Sequence, residues 1–369
     1  MTPPESDGAD VTRDRDDAAQ PPPADQSHGT ATVQSEPVIV GSAEPLAIGV
    51  GIGAGGPPVL GAGTPGGRLR LGDRIFGGVT AGASGFVIVL VVLVAIFLLI
   101  KSVPSIVDDK VNFLTSTEWS TTVGNLHFGV ASLLYTTVMI SLVALVIAVP
   151  ISIGIALFIT QYAPKRLARP VAYVIDLLAA IPSIIYGIWG FSVLAPRLEG
   201  VQRVLYHLGG LPLFKDQGVI KGSLFDGGIV LAVMILPIVT AISRDVFERT
   251  PRANKEAALA LGATRWEMIR MSVLPYGRSG VVSGAMLGLG RALGETIAVL
   301  LILSKVSNFS VSFFSGGETF ASKIANNASE FNNPKSTGAY IAAGLVLFVL
   351  TFVVNAAARW VVNRRREFS

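Results

Sequence analysis

The chain has no cysteine and only three histidines, His28, His127 and His207, scattered along 369 residues. Disulfides, thiolate nucleophiles, iron–sulfur clusters and cysteine-based zinc sites are therefore excluded, and no histidine cluster has metal-ligand spacing. Charge is scarce too, at 15% of residues, against about 25% in an ordinary soluble domain. With 51% hydrophobic residues and a mean hydropathy of +0.59, the composition is that of a membrane protein. It does not fit a cytosolic enzyme, a disordered chain or a nucleic-acid binder.

Several catalytic signatures are missing as well. The sequence contains no Gly-x-x-x-x-Gly-Lys-Ser/Thr phosphate loop, no Gly-x-Ser-x-Gly elbow, no His-Glu-x-x-His helix and no pair of carboxylates set in a polar cleft. It reads as a protein that is not an enzyme by itself and binds no cofactor of its own.

The net charge of +4 hides an asymmetry. Residues 1–67 hold two basic residues against nine acidic ones, a net of −7, which leaves +11 for residues 68–369. The first stretch is rich in Pro and Asp, then in Gly and Pro, and is expected to be a disordered cytosolic tail. Its acidic start lacks the basic region of a signal peptide.

The remainder, 68–369, is expected to be one all-α membrane domain. Six apolar segments were judged against the ~20 residues needed to cross a ~30 Å hydrocarbon core. They lie near 79–100, 131–160, 171–194, 228–242, 280–303 and 340–362, with Pro150 a bend point in the second and Pro237 inside the short fourth. With the N-terminus inside, 19 Lys and Arg residues fall on the inner side and nine on the outer. Basic loops stay cytoplasmic, so both termini are expected in the cytosol and the loops near 102–127, 195–227 and 304–339 outside.

The loop between the fourth and fifth segments carries helix punctuation that plain connectors lack. Thr250 is placed to cap, Pro251 suits a first helical position, and Ala253 to Leu261 form a helical run ending at Gly262. Thr264 and Glu267 have capping-box spacing, and Pro275 is expected to break the second helix. Two short helices at the inner face make a docking surface.

Arg291 and Glu295 lie inside the fifth segment, four residues apart, so on one helix they share a face and can pair. A charge at the centre of a span costs about 2.5–3.5 kcal/mol, and such residues face a bundle interior or a wet cavity. A guanidinium also suits a phosphate oxyanion held by two N–H groups at once. The same spacing fits a structural ion pair that locks two helices, and the residues alone do not choose between the two. Gly280, Gly284 and Gly288 on this segment are spaced for close helix contact.

In the third segment, Pro182 removes a backbone hydrogen bond and Gly187 and Gly190 loosen the same face, which makes a hinge there. Tyr186 and Trp189 fit either a pore lining or interfacial anchors. Asp176, about one turn in from the cytosolic side, fits a partner for an inner-face Arg, a gate residue or a simple interfacial acid.

The run Glu256-Ala257-Ala258, three residues, Gly262 and a stretch ending in Leu274-Pro275 resembles the EAA loop of ABC importer permeases. Ser272 stands where that pattern usually has an aliphatic residue. The run Gly290 to Val299 around Arg291-Ala292-Leu293-Gly294-Glu295-Thr296, with Ala180 to Gly190 around Pro182, resembles the PstC-type permease subunits of phosphate ABC importers. Asn112-Phe113-Leu114 before Trp119 and the sequence after Glu318 share that likeness, which extends from about Asp73 to the C-terminus.

The resemblance implies a type I ABC importer permease fold in the bacterial inner membrane. It also implies a homologous PstA-type second permease, a PstB-type ATPase dimer carrying ATP and Mg, a PstS-type extracytoplasmic phosphate-binding protein, membrane lipid around the spans, and no nucleic acid. By the same resemblance Arg291, Glu295 and Thr296 fall on the substrate path. Glu256, Ala257, Ala258 and Gly262 fall on the coupling to the ATPase, and Asp176, Pro182 and Gly187 are hinge or gate candidates. Two other readings stand beside phosphate import. One is a permease for another oxyanion such as sulfate or molybdate, and the other is an anion channel or secondary transporter that needs no ATPase.

Overall fold

The computed structural model describes residues 71–121, 126–208, 221–306, 308–331 and 333–364. The expected disordered tail at 1–67 lies outside them. The described residues are almost entirely helical.

Helix α1 (Leu71–Val107) is the most apolar, and its membrane-length window is not buried by the rest of the chain. Its 37 residues extend about 55 Å at 1.5 Å per residue, well beyond a ~30 Å bilayer core. A short antiparallel pair of strands follows, β1 (Trp119–Ser120) and β2 (His127–Phe128), with Trp119 opposite Phe128. Phe128 is met edge-on by Phe113 at 5.7 Å and by Trp119 at 5.9 Å. The Asn112–Leu114 stretch and Trp119 thus build an aromatic platform against helix α12 (Pro334–Arg364).

Helix α2 (Ala131–Leu157) runs through Pro150 and ends in a π-helical turn, Phe158–Tyr162. It packs along α6 (Leu224–Glu248), tied by the Ser152 hydroxyl, which donates to the Leu236 carbonyl at 3.0 Å. The sequence marked 228–242 for this segment. The helix is longer because Ser223 and Asp226 form a reciprocal capping box at its start, buried together with Gln202. Gln202 lies on α5 (Ala195–Leu208), inside the stretch expected as an outer loop, and donates to Asp226 at 2.6 Å.

Two of the six expected spans are not continuous helices. The third consists of α3 (Lys165–Ala180) and α4 (Ser183–Trp189), the latter running on into α5, with a bend of 93° between the two parts. Pro182 is the cause, since proline disfavours helical geometry at the preceding residue, and Ile181 is accordingly extended with ψ 128°. The fifth divides into α9 (Leu274–Leu293) and α10 (Ile297–Ile302). By length and apolarity, four helices among the described residues qualify as spans, or five when the bent pair counts as one. The α9–α10 pair, which carries Arg278, Arg291 and Glu295, is not among them.

The main core joins α2, α4, α6 and α10 through Ile140, Tyr186, Leu231, Ile235, Val299 and Ile302. The glycine stripe of α9 lies against α6 as its spacing predicts. A Cβ at Gly280 would overlap Val246, and one at Gly288 would stand 3.0 Å from Val239 Cγ2. These contacts set the coupling loop and the α9–α10 break at opposite ends of one tightly packed helix.

Candidate functional site: a helical hairpin and a broken span

Beyond α6 the chain makes the expected hairpin, α7 (Arg252–Ala260) and α8 (Arg265–Met268). Gly262 sits between them at φ 83°, a left-handed conformation that residues with a Cβ rarely adopt. Its amide donates to the Leu259 carbonyl at 3.0 Å and the next amide, of Ala263, to Ala258 at 3.2 Å, so both close the end of α7. Thr264 and Glu267 form the expected capping box. The Glu267 carboxyl is held below its usual range, first by the Thr264 amide and then by the Thr264 hydroxyl.

Two expectations here are corrected. Thr250 does not cap α7: Pro251 occupies the cap position, and the Thr250 hydroxyl is buried with no hydrogen-bond partner. Pro275 does not break the second helix either. The chain passes through a π-helical turn, Ile269–Val273, directly into α9, with Pro275 in the first turn, where a missing N–H is least costly.

The Glu256-Ala257-Ala258 triplet is divided by its surroundings. Ala258 is buried with Leu157, Phe247, Met268, Ile269 and Val273, while Glu256 and Ala257 are exposed. The hairpin is thereby anchored to α2 and α6 by one face and presents the other. Ser272, the departure from the aliphatic pattern, uses its hydroxyl to tie the two arms, donating to the Asn254 carbonyl at 3.2 Å.

At the far end of α9, Arg291 lies in the last turn, and the helix closes on Gly294. The expected pairing of Arg291 with Glu295 on one helix face is not formed. The helix ends between them, and among the described residues no ion pair involves either side chain. Glu295 instead accepts the Ala298 amide at 3.3 Å, and the Thr296 hydroxyl donates to the Gly294 carbonyl at 3.2 Å. Both side chains therefore shape the start of α10.

The two broken spans meet at this point. A Cβ at Gly187 on α4 would stand 2.9 Å from the Ala298 Cα on α10, so only glycine lets these segments approach as they do. Tyr186 reaches back over the Pro182 bend to donate to the Leu178 carbonyl at 2.8 Å. On α3, Asp176 faces Arg244 of α6 at 3.9 Å, so it has an arginine partner, one of the readings its sequence position allows.

Arg291 itself is exposed and borders a groove of about 610 Å³ between α6, α9 and α12. Ser283, Asn355 and Arg359 share that groove. No motif in the sequence singles out Arg359, Ser283 or Asn355. A signal was available, because Ser283, Leu287 and Arg291, and likewise Asn355 and Arg359, recur every four residues on one helix face.

The hairpin is continuous with a helix that ends at a charged break, and similarity to known proteins gives the family of the chain. Residues 148–367 match the family described as "Binding-protein-dependent transport system inner membrane component". The chain belongs to this family, as a multi-pass inner-membrane permease subunit that is not itself an enzyme.

Within the family, it is similar to proteins named as PstC permeases. It is 56% identical over 296 residues, 79% of this chain and 91% of the relative, to "Phosphate transport system permease protein PstC 2" of Mycobacterium tuberculosis. It is 58% identical over 277 residues, 73% of this chain and 87% of the relative, to PstC of Mycobacterium leprae. It is 41% identical over 305 residues, 80% of this chain and 92% of the relative, to PstC of Mesorhizobium japonicum.

Among solved structures, the inward-facing MetNI methionine ABC transporter matches with a TM-score of 0.46 and 17% identity, covering 64% of this chain and 94% of that chain. A bacterial alginate ABC transporter in complex with its pentasaccharide-bound periplasmic protein matches with a TM-score of 0.47 and 18% identity, covering 63% of this chain and 79% of that chain.

Proposed function

We propose that this chain is the permease subunit of an ATP-driven phosphate importer and forms half of the transmembrane path for inorganic phosphate with a PstA-type second permease. The observation that carries the reading is one continuous run of structure. The hairpin with Glu256 exposed passes without interruption through Ile269–Val273 into α9, and α9 ends on Arg291 at the break. The PstC names of the relatives supply the substrate.

An extracytoplasmic PstS-type protein delivers phosphate to the outer loops. A PstB-type ATPase dimer, holding ATP and Mg, receives the exposed face of the hairpin. Its closure moves α7 and α8, and α9 carries the motion to the break. Glu256 and Ala257 meet the ATPase, Ala258 fixes the hairpin to the bundle, and Gly262 sets the turn between its arms. The excess of Lys and Arg in the loops assigned to the inner side supports an orientation with both termini in the cytosol.

Arg291 offers phosphate a transient positive site, with two parallel N–H donors for two oxygens. Glu295 keeps α10 in register and offsets the guanidinium charge, so that the anion is not held too tightly. Thr296 presents a hydroxyl at the same break. The bend at Pro182, the Gly187 contact and the Asp176–Arg244 pair form the hinge and inner gate that shift as the spans alternate.

The test is labelled-phosphate uptake, with sulfate as competitor, in phosphate-starved cells that lack this chain and receive the intact protein. Restored uptake that sulfate does not reduce is expected. Restored sulfate uptake instead would retain the permease and refute the substrate.

A further inference from the structure

The groove beside Arg291 holds a second guanidinium, that of Arg359, with Ser283 and Asn355 as additional hydrogen-bonding groups, and its lining contains no carboxylate. Among the described residues neither arginine forms an ion pair. Two like charges bordering one groove, with apolar walls such as Ile238 and Met286 and no carboxylate between them, repel each other, an arrangement that an oxyanion relieves.

The groove also has a direction. Ser283 lies about 12 Å nearer the coupling hairpin than Arg291, at 1.5 Å per residue along α9. Arg359 lies near the end of α12, ahead of Arg364, Arg365 and Arg366, which already supply the charges expected at an inner membrane face. Arg359 is therefore not needed as the interfacial anchor of its helix.

The geometry points to this groove as the inward leg of the path: a phosphate oxyanion leaving Arg291 is taken up by Arg359, with Asn355 and Ser283 donating hydrogen bonds. This rests on the phosphate-import reading and adds a second binding position to it. With the charge-assisted contacts divided between two separated cations, the anion passes from one to the next without meeting all of them at once in a single deep trap. The same chemistry would suit the phosphate of an anionic lipid headgroup, and the experiment separates the two sources.

The intact transporter, this chain with its partner permease, ATPase and binding protein, is reconstituted in vesicles of phosphatidylcholine alone or with phosphatidylglycerol. Transport of labelled inorganic phosphate and ATP hydrolysis are measured together. Arg359→Ala is expected to lower the maximal transport rate about tenfold in both lipids, the loss of one charge-assisted contact, with half-saturation unchanged. Arg359→Lys is expected to recover most of that rate, and Asn355→Asp, which places a carboxylate in the groove without changing its shape, to lower it similarly. An unchanged rate for Arg359→Ala overturns the proposal. A loss confined to vesicles with phosphatidylglycerol assigns the groove to a lipid headgroup and overturns it as well. An intact transporter that hydrolyses ATP but moves no phosphate refutes the phosphate reading itself, which is a different result.

Discussion

The Glu295 carboxylate accepts the Ala298 amide at 3.3 Å and forms no ion pair with Arg291, although the two are four residues apart. Its hydrogen-bonding duty at the start of α10 can thus be separated from its charge. Glu295→Gln retains an oxygen for the Ala298 amide and removes the charge that offsets Arg291. Phosphate transport is expected to fall about tenfold, for roughly 1.4 kcal/mol of lost balance, while the thermal midpoint of the purified transporter stays unchanged. Glu295→Ala removes both functions and is expected to lower the midpoint as well, since losing a helix-start acceptor costs about 0.5–2 kcal/mol.

Gly262 holds φ 83° between the arms of the coupling hairpin. Gly262→Ala introduces about 1 kcal/mol of left-handed strain without any steric overlap, because nothing lies near the added Cβ. ATP hydrolysis by the assembled transporter is expected to continue while transport per ATP falls. Uptake and phosphate release from ATP, assayed on the same vesicles, read the ratio.

Gly187 approaches Ala298 so closely that any side chain displaces α4 from α10. Gly187→Val is expected to abolish transport, while Gly200→Val, at a position with open space around it, leaves transport unchanged. Uptake normalised to membrane yield distinguishes the two variants.

Just ahead of α12, Glu330 accepts hydrogen bonds from Tyr340 and Asn327, both at 2.5 Å, and from Thr121 at 3.0 Å. Its carboxyl lies below the usual glutamate range, chiefly because of Tyr340. A depressed folded-state pKa means a contribution to stability that is complete above the unfolded-state value of about 4.3 and lost as pH falls below it. The thermal midpoint of the intact protein is expected to drop more steeply than that of Glu330→Gln between about pH 5 and about pH 3, a range that runs from above the unfolded-state value to below it.

Much of this architecture was legible because its signals are local. The apolar runs, the Thr264–Glu267 box, the Gly262 turn and the Gly280, Gly284 and Gly288 stripe each depend on a few neighbouring residues. The breaks were less legible. Pro182 announced a kink, but the 93° turn depends on how α3 and α4 pack. The end of α9 before Glu295 depends on Gly294 and on the contact of α10 with Gly187, which is remote in sequence. The Arg359 side of the groove was missed because it needs α9 and α12 side by side, a relation that no single stretch of sequence contains.

The most direct test of the central claim is made on the reconstituted transporter, by measuring phosphate transported and ATP hydrolysed for the intact chain, Arg291→Ala and Arg291→Lys. With Arg291 on the path, Arg291→Ala continues to hydrolyse ATP but transports at least about tenfold less phosphate, and Arg291→Lys recovers part of the loss. Transport by Arg291→Ala at the intact rate would contradict the account and leave Arg291 a structural charge.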